Sequence, residues 1–80
     1  MEKTVKVLLN TIEKVKNFSN ITFKHDLDVR LHSGIYVINA KSIMGIFSLD
    51  LSHALELHIL GDDEAAINSL LKEIDEFIIR

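Results

Sequence analysis

Apolar positions along the chain follow two periods, and the switches between them mark out its elements. From Asp62 onward, Ala66, Ile67, Leu70, Leu71, Ile74, Phe77 and Ile78 recur three and four apart, with Glu64, Asn68, Lys72, Glu73, Asp75 and Glu76 between them. That spacing predicts an amphipathic helix reaching Ile78. Gly61 ends what precedes it, and Asp62, Asp63 and Glu64 supply a cap and negative charge at its positive end. Such a helix must lie on a second apolar surface, and "ALELHIL" provides one. Leu55, Leu57 and Ile59 point one way while Glu56 and His58 point the other, the alternation of a strand with one wet face.

The same period recurs upstream. "DVRLHSGIYVIN" alternates through Val29 and Leu31, breaks at Ser33 and Gly34, and resumes from Ile35 to Ile38, which predicts a hairpin. Val5, Val7 and Leu9 alternate with Lys6 and Leu8 as a further strand. Between them Ile12, Val15, Phe18, Thr22 and Phe23 stand at helical spacing behind Asn10 or Thr11 as cap, with the β-branched run at Ile21 and Thr22 weakening the helix end. The predicted order is strand, helix, strand, strand, short helix, strand, helix. The economical packing is α+β, a four-stranded antiparallel sheet with its helices on one face, in one domain over residues 1–80.

Composition narrows the functional classes. At 48% hydrophobic and 26% charged the chain is globular, and 80 residues allow one small core, so each apolar face counts. No cysteine is present, which removes disulfides and thiolate metal sites and fits a reducing cytoplasm. A net charge of −3 with scattered lysines argues against nucleic acid or an anionic membrane as partner. No run is long enough to cross a bilayer, and the expected location is the cytoplasm.

The stretch "NAKSIMGIFSLDLS", Asn39 to Ser52, fits neither period for long. Ser42 suits an N-cap and Gly45 limits the helix to a turn or two. Ser48, Asp50 and Ser52 end it and turn the chain. Ile43, Met44, Ile46, Phe47, Leu49 and Leu51 cannot all point inward from so short a piece. Part of this cluster is expected on the surface, where a contiguous apolar patch marks a protein contact and methionine makes it adaptable.

At these residues the chain resembles HPr, the small phosphocarrier of the bacterial sugar phosphotransferase system. "AKSIMGIFSL", Ala40 to Leu49, is similar to the lysine-serine-isoleucine-methionine-glycine run that opens the second helix of that family. The order of elements and the acidic start of the last helix after a glycine match as well, over about Asp28 to Ile79. The resemblance implies an HPr-like open-faced β-sandwich of order βαββαβα. It also implies a phosphocarrier histidine after the first strand, in a glycine-hydrophobic-histidine-alanine-arginine-proline motif. Here that stretch reads "LLNTIEKVKN" and holds none of the motif's glycine, histidine, arginine or proline. An ungapped count back from Ser42 puts Thr11 at the histidine's position, and a threonine phosphoester is a poor donor for onward transfer.

Ser42 matches the serine that an ATP-dependent kinase phosphorylates in HPr of Gram-positive bacteria, after which the protein binds a transcription regulator. Two readings stand for it, a plain N-cap and a regulatory phosphorylation site with Lys41 adjacent. Lys41, Ile43, Met44 and Phe47 are then the partner-binding residues. His25, His32, His53 and His58 lie elsewhere, either as solvated surface residues or as a displaced phosphate acceptor or metal pair, and none shows the helical pairing of a zinc site. Nothing resembles a nucleophile-histidine-acid set or a phosphate-cradling glycine loop. The expectation is a monomeric or weakly dimeric, HPr-like regulatory binding module of the phosphotransferase system that is not an enzyme and needs no cofactor or metal. The alternative is an unorthodox phosphocarrier working through Thr11 or a displaced histidine.

Overall fold

A computed structural model describes residues 2–79 and orders the elements β1 (Glu2–Val7), α1 (Ile12–Lys24), β2 (Asp28–Ser33), β3 (Tyr36–Asn39), α2 (Ile43–Phe47), β4 (Leu55–Leu60), α3 (Glu64–Glu73) and a closing 3-10 turn (Asp75–Phe77). The strands form one antiparallel sheet in the spatial order β1-β4-β2-β3. β4, the last strand in sequence, thus sits in the interior, hydrogen-bonded on both sides. Its register sets Leu55 opposite Val7, and Leu57 between Val5 and Leu31, while Ile59 faces Val29. All of these fall on one face, and each buried aliphatic side chain there contributes about 1.5–3 kcal/mol.

The helices cover that face. α1 buries Val15, Phe18, Ser19 and Thr22, and α3 buries Ile67 and Leu70. Phe18 meets Phe77 edge to face, with ring centroids 5.7 Å apart and planes at 87°. Thr11 rather than Asn10 caps α1, its hydroxyl accepting the Lys14 amide at 3.1 Å. Asp63 caps α3 by accepting the Ala66 amide at 3.1 Å.

Several expectations need correction. Ile12 and Phe23 are exposed rather than part of the core stripe, because the buried face of α1 is centred on Val15, Phe18 and Thr22. The last helix stops at Glu73 instead of reaching Ile78. Its tail unwinds because β1 offers backbone partners: Leu8 donates to the Phe77 carbonyl and Ile79 to that of Lys6, both at 2.9 Å, and Ile78 bridges Val7. The hairpin turn falls at Gly34 and Ile35, so β2 keeps Ser33 and β3 begins at Tyr36. Gly34 takes φ +60°, the left-handed value that a two-residue hairpin of II′ type needs at its first turn position.

The uncovered face carries a polar cluster. His58 lies with its Nδ1 against the Glu2 carboxylate and its Nε2 3.3 Å from Glu56, and its ring stacks on His32 at 3.7 Å between centroids. Among the described residues no group of three potential ligands stands close enough to hold a metal ion. Hydrogen bonding to Glu2, with a smaller contribution from Glu56, raises the His58 pKa against the opposing effect of burial. The folded state therefore binds this proton more tightly than the unfolded chain does. The resulting stabilisation is complete below the ordinary histidine range and is lost as pH rises through the raised value. Thermal midpoints should accordingly fall between mildly acidic and mildly alkaline pH, and His58→Gln should flatten that slope; an unchanged slope in the variant would rule out His58 as its source.

Candidate functional site

Two hydroxyl groups of α1 hold the start of α2. Thr22 is fully buried, and its Oγ1 donates between the Ser19 and Ala40 carbonyl oxygens, each 3.1 Å away. Ser19 Oγ donates to the Lys41 carbonyl at 3.3 Å. Between strand and helix the chain turns on Asn39, whose side-chain oxygen accepts the Lys41 amide at 2.9 Å and whose carbonyl accepts that of Ser42 at 3.0 Å. A buried Ala40 completes the turn.

Ser42 caps α2 from an extended backbone conformation, its Oγ accepting the Gly45 amide at 3.1 Å, and the residue is exposed. Gly45 fits closely here. A Cβ there would stand 3.2 Å from the Ser42 hydroxyl, so a larger residue crowds the cap and the hydroxyl must give by a few tenths of an ångström, while Ile38 Cδ1 at 3.4 Å would be in ordinary contact. Ser48 closes the other end with its hydroxyl 2.6 Å from the Gly45 carbonyl. Both the hydroxyl and amide of Ser52 bond Asp50, which lowers the Asp50 pKa and fixes the following turn.

The six apolar residues of this stretch divide by direction. Ile46 and Leu49 are buried, Ile43 and Leu51 lie half-buried against the core, and Met44 at 77% exposure stands with Phe47 on the surface. Lys41 is half-buried beside them. The neighbouring flank of α1 also carries apolar residues. Phe18 turns one flank of α1 toward Phe77, and Ser19 turns the other toward α2. Ile12 and Phe23 lie only about 20° and about 40° beyond Ser19 on a helix of 3.6 residues per turn, on that second flank. Phe23, 74% exposed, is thus an apolar residue on the flank of α1 that turns toward α2. The available signal was the pair of hydroxyl residues on the inward stripe, which marks where another backbone crosses.

No protein-family model matches the sequence, and neither does any curated protein. Solved structures do match over nearly the whole chain. The HPr-C-His structure from Thermoanaerobacter tengcongensis is 29% identical, with a TM-score of 0.72 over 95% of this chain and 92% of that one. The chain has an HPr-like fold. The phosphocarrier protein HPr of Bacillus anthracis is similar at 26% identity and TM-score 0.66, covering 91% of this chain and 94% of its own. Crh, the catabolite repression containing protein of Bacillus subtilis, described as a swapped, intertwined dimer, is 26% identical with TM-score 0.63 over 95% of this chain and 88% of its own. The fold is thus of the phosphocarrier type found in the phosphotransferase system.

Within this HPr-like fold Thr11 stands at the start of α1, beside a cleft of about 320 Å³ lined by Glu13, Lys14, Asn17, Glu76 and Phe77. Its hydroxyl already accepts the Lys14 amide, and the Lys14 ammonium is 3.1 Å from Asn10 Oδ1. Two carboxylates and one engaged ammonium surround the position. A phosphate needs the reverse balance. The four histidines are dispersed: His25 pairs with Glu73, His53 lies 3.4 Å from Asp50, and His32 and His58 stack on the open sheet face.

The hydroxyl clasp carries a measurable load. Thr22→Val keeps the shape but leaves the buried Ala40 carbonyl without its donor, at a cost of about 1–3 kcal/mol. Amide exchange in α2 should accelerate with it, and Ser19→Ala should do less to both. Equal losses from the two substitutions would contradict the ranking.

Proposed function

We propose that the chain is an HPr-like regulatory module of the sugar phosphotransferase system that acts by binding other proteins through α2, with Ser42 as its site of phosphorylation. The observation that carries this reading is the placement of one accessible hydroxyl beside an exposed apolar patch. Ser42 Oγ has a single amide partner, and Met44 and Phe47 lie within the next turn and a half of helix. The reading draws further support from relatives of the same fold that are phosphocarrier and catabolite repression proteins.

Phosphorylation is an ordinary transfer. The Ser42 oxygen attacks the γ-phosphorus of ATP, the bond to the bridging oxygen of ADP breaks, and the hydroxyl proton passes to a base on the kinase. The product places nearly two negative charges where free amides and Lys41 are nearest, worth roughly 0.3–1 kcal/mol. α2 has only five residues, which puts the helix contribution at the low end. Its larger consequence is at the surface, where the patch gains a charged rim and selects a different partner, a transcription regulator by analogy with HPr. The half-buried Lys41 and Ile43 position the rim, and Met44 and Phe47 make the apolar contact. Phosphocarrier transfer through Thr11 is disfavoured by Glu13 and Glu76 beside it.

Incubation with ATP and the HPr serine kinase should yield one acid-stable phosphate, located by mass spectrometry on Ser42 and absent in Ser42→Ala. Met44→Glu should leave the thermal midpoint within the small range of surface substitutions, about 0.5 kcal/mol, while lowering the kinase's kcat/KM about tenfold. Incubation with phosphoenolpyruvate and enzyme I should leave every histidine unmodified. An acid-labile phosphate in that second reaction, or none in the first, overturns the proposal.

A further inference from the structure

The two edges of the sheet are unlike. β1 carries Glu2, Lys3 and Lys6, and its end is closed by the chain's own Ile78 and Ile79. β3 has neither protection. From Gly34 to Ala40 the chain holds no charged residue and no proline, and Ile35 is 90% exposed and Val37 51%, with Tyr36 exposed between them. An uncharged apolar edge is a template for another strand.

The backbone fixes which groups are on offer. The Ala40 amide donates to the Val29 carbonyl at 2.9 Å, so in an antiparallel ladder Ala40, Ile38 and Tyr36 turn their backbone groups toward β2, and Val37 turns its N–H and C=O outward. No other described segment bonds to Val37.

We infer that this edge pairs with the same edge of a second copy, antiparallel about a two-fold axis through Val37, to give one eight-stranded sheet. Identity of the partner follows from self-complementarity. With Val37 opposite Val37, the two exchange both backbone hydrogen bonds, and each Tyr36 lies on the same face as Ile38 of the other copy, opposite it. The same register brings each Ile35, the turn residue next to the strand, near Asn39 of the second copy, beside a cavity of about 340 Å³ lined by Asp28, Arg30, Val37, Ile38 and Asn39. No like charges meet. Arg30 is held by Asp28 through two hydrogen bonds, and the two Lys41 residues lie roughly 25 Å apart, several screening lengths. Because the other edge is charged and part-closed, pairing ends at two copies. The contact is small, below the roughly 1,200 Å² of stable specific complexes, so the dimer is weak and concentration-dependent.

Sedimentation equilibrium from micromolar to millimolar protein tests this. Wild type should rise from 9.1 kDa toward twice that mass. Val37→Lys, which sets two lysines face to face, should weaken association at least tenfold. Ile35→Ser, at an exposed turn position that leaves the core untouched, should weaken it several-fold with the circular dichroism spectrum unchanged. A wild type that stays monomeric to millimolar concentration overturns the inference, as do assemblies larger than two. Two further outcomes also overturn it: a slowly exchanging dimer indifferent to Val37→Lys, such as strand swapping would give, and an edge that accepts only unrelated strand peptides.

Discussion

One-sided burial governs this molecule. A four-stranded sheet made by so short a chain has helices for one face only, and the inward residues of β2 and β4 are dry because α1, α3 and the closing turn fill that single layer. Space in the layer is limited. Once Phe18, Phe77 and the α3 aliphatics occupy it, α2 can contribute only Ile46, with Leu49 just beyond its end, and the remaining apolar residues of this stretch lie at the margin or outside. The exposed patch is thus a consequence of geometry before it is a feature of function.

A five-residue helix with one buried residue has little hold of its own. The hydroxyls of Thr22 and Ser19 supply what packing cannot, since a buried carbonyl without a donor is costly and the clasp removes that cost at Ala40. The same contact fixes which flank of α1 borders α2, the flank on which the exposed Phe23 lies. Binding through this face and modification at Ser42 would then share a single mechanical support. The β3 edge lies on the other side of α2, reached through Ile38, whose Cδ1 is close to Gly45.

The local code was legible where one period dominates. Alternation at Leu55, Leu57 and Ile59 and the three-four spacing of α3 gave elements at the right places, and Ser42 and Asp63 cap helices as serine and aspartate do in any protein. The run from Ala40 to Leu49 was specific enough to indicate the HPr-like fold. The candidate site was less legible. Spacing put Ile12 and Phe23 on the core stripe of α1, because apolar periodicity shows which side chains could face inward and not where neighbouring elements end.

The sequence by itself determined the type and order of the elements, the Ser42 cap, the glycine turn at Gly34 and the absence of the phosphocarrier motif after the first strand, all of which depend on contacts within a few residues, and it narrowed the other caps to Asn10 or Thr11 and to the acidic run at Asp62 to Glu64. The tertiary structure alone decided that β4 lies between β1 and β2, that the last helix unwinds at Ile74 to pair with β1, and that β3 is left open. It also decided that Met44 and Phe47 face solvent while Ile46 does not. Those outcomes depend on backbone partners and free volume contributed by residues far apart in the chain, and no local pattern encodes how much room remains once the nearer claims on the core are met.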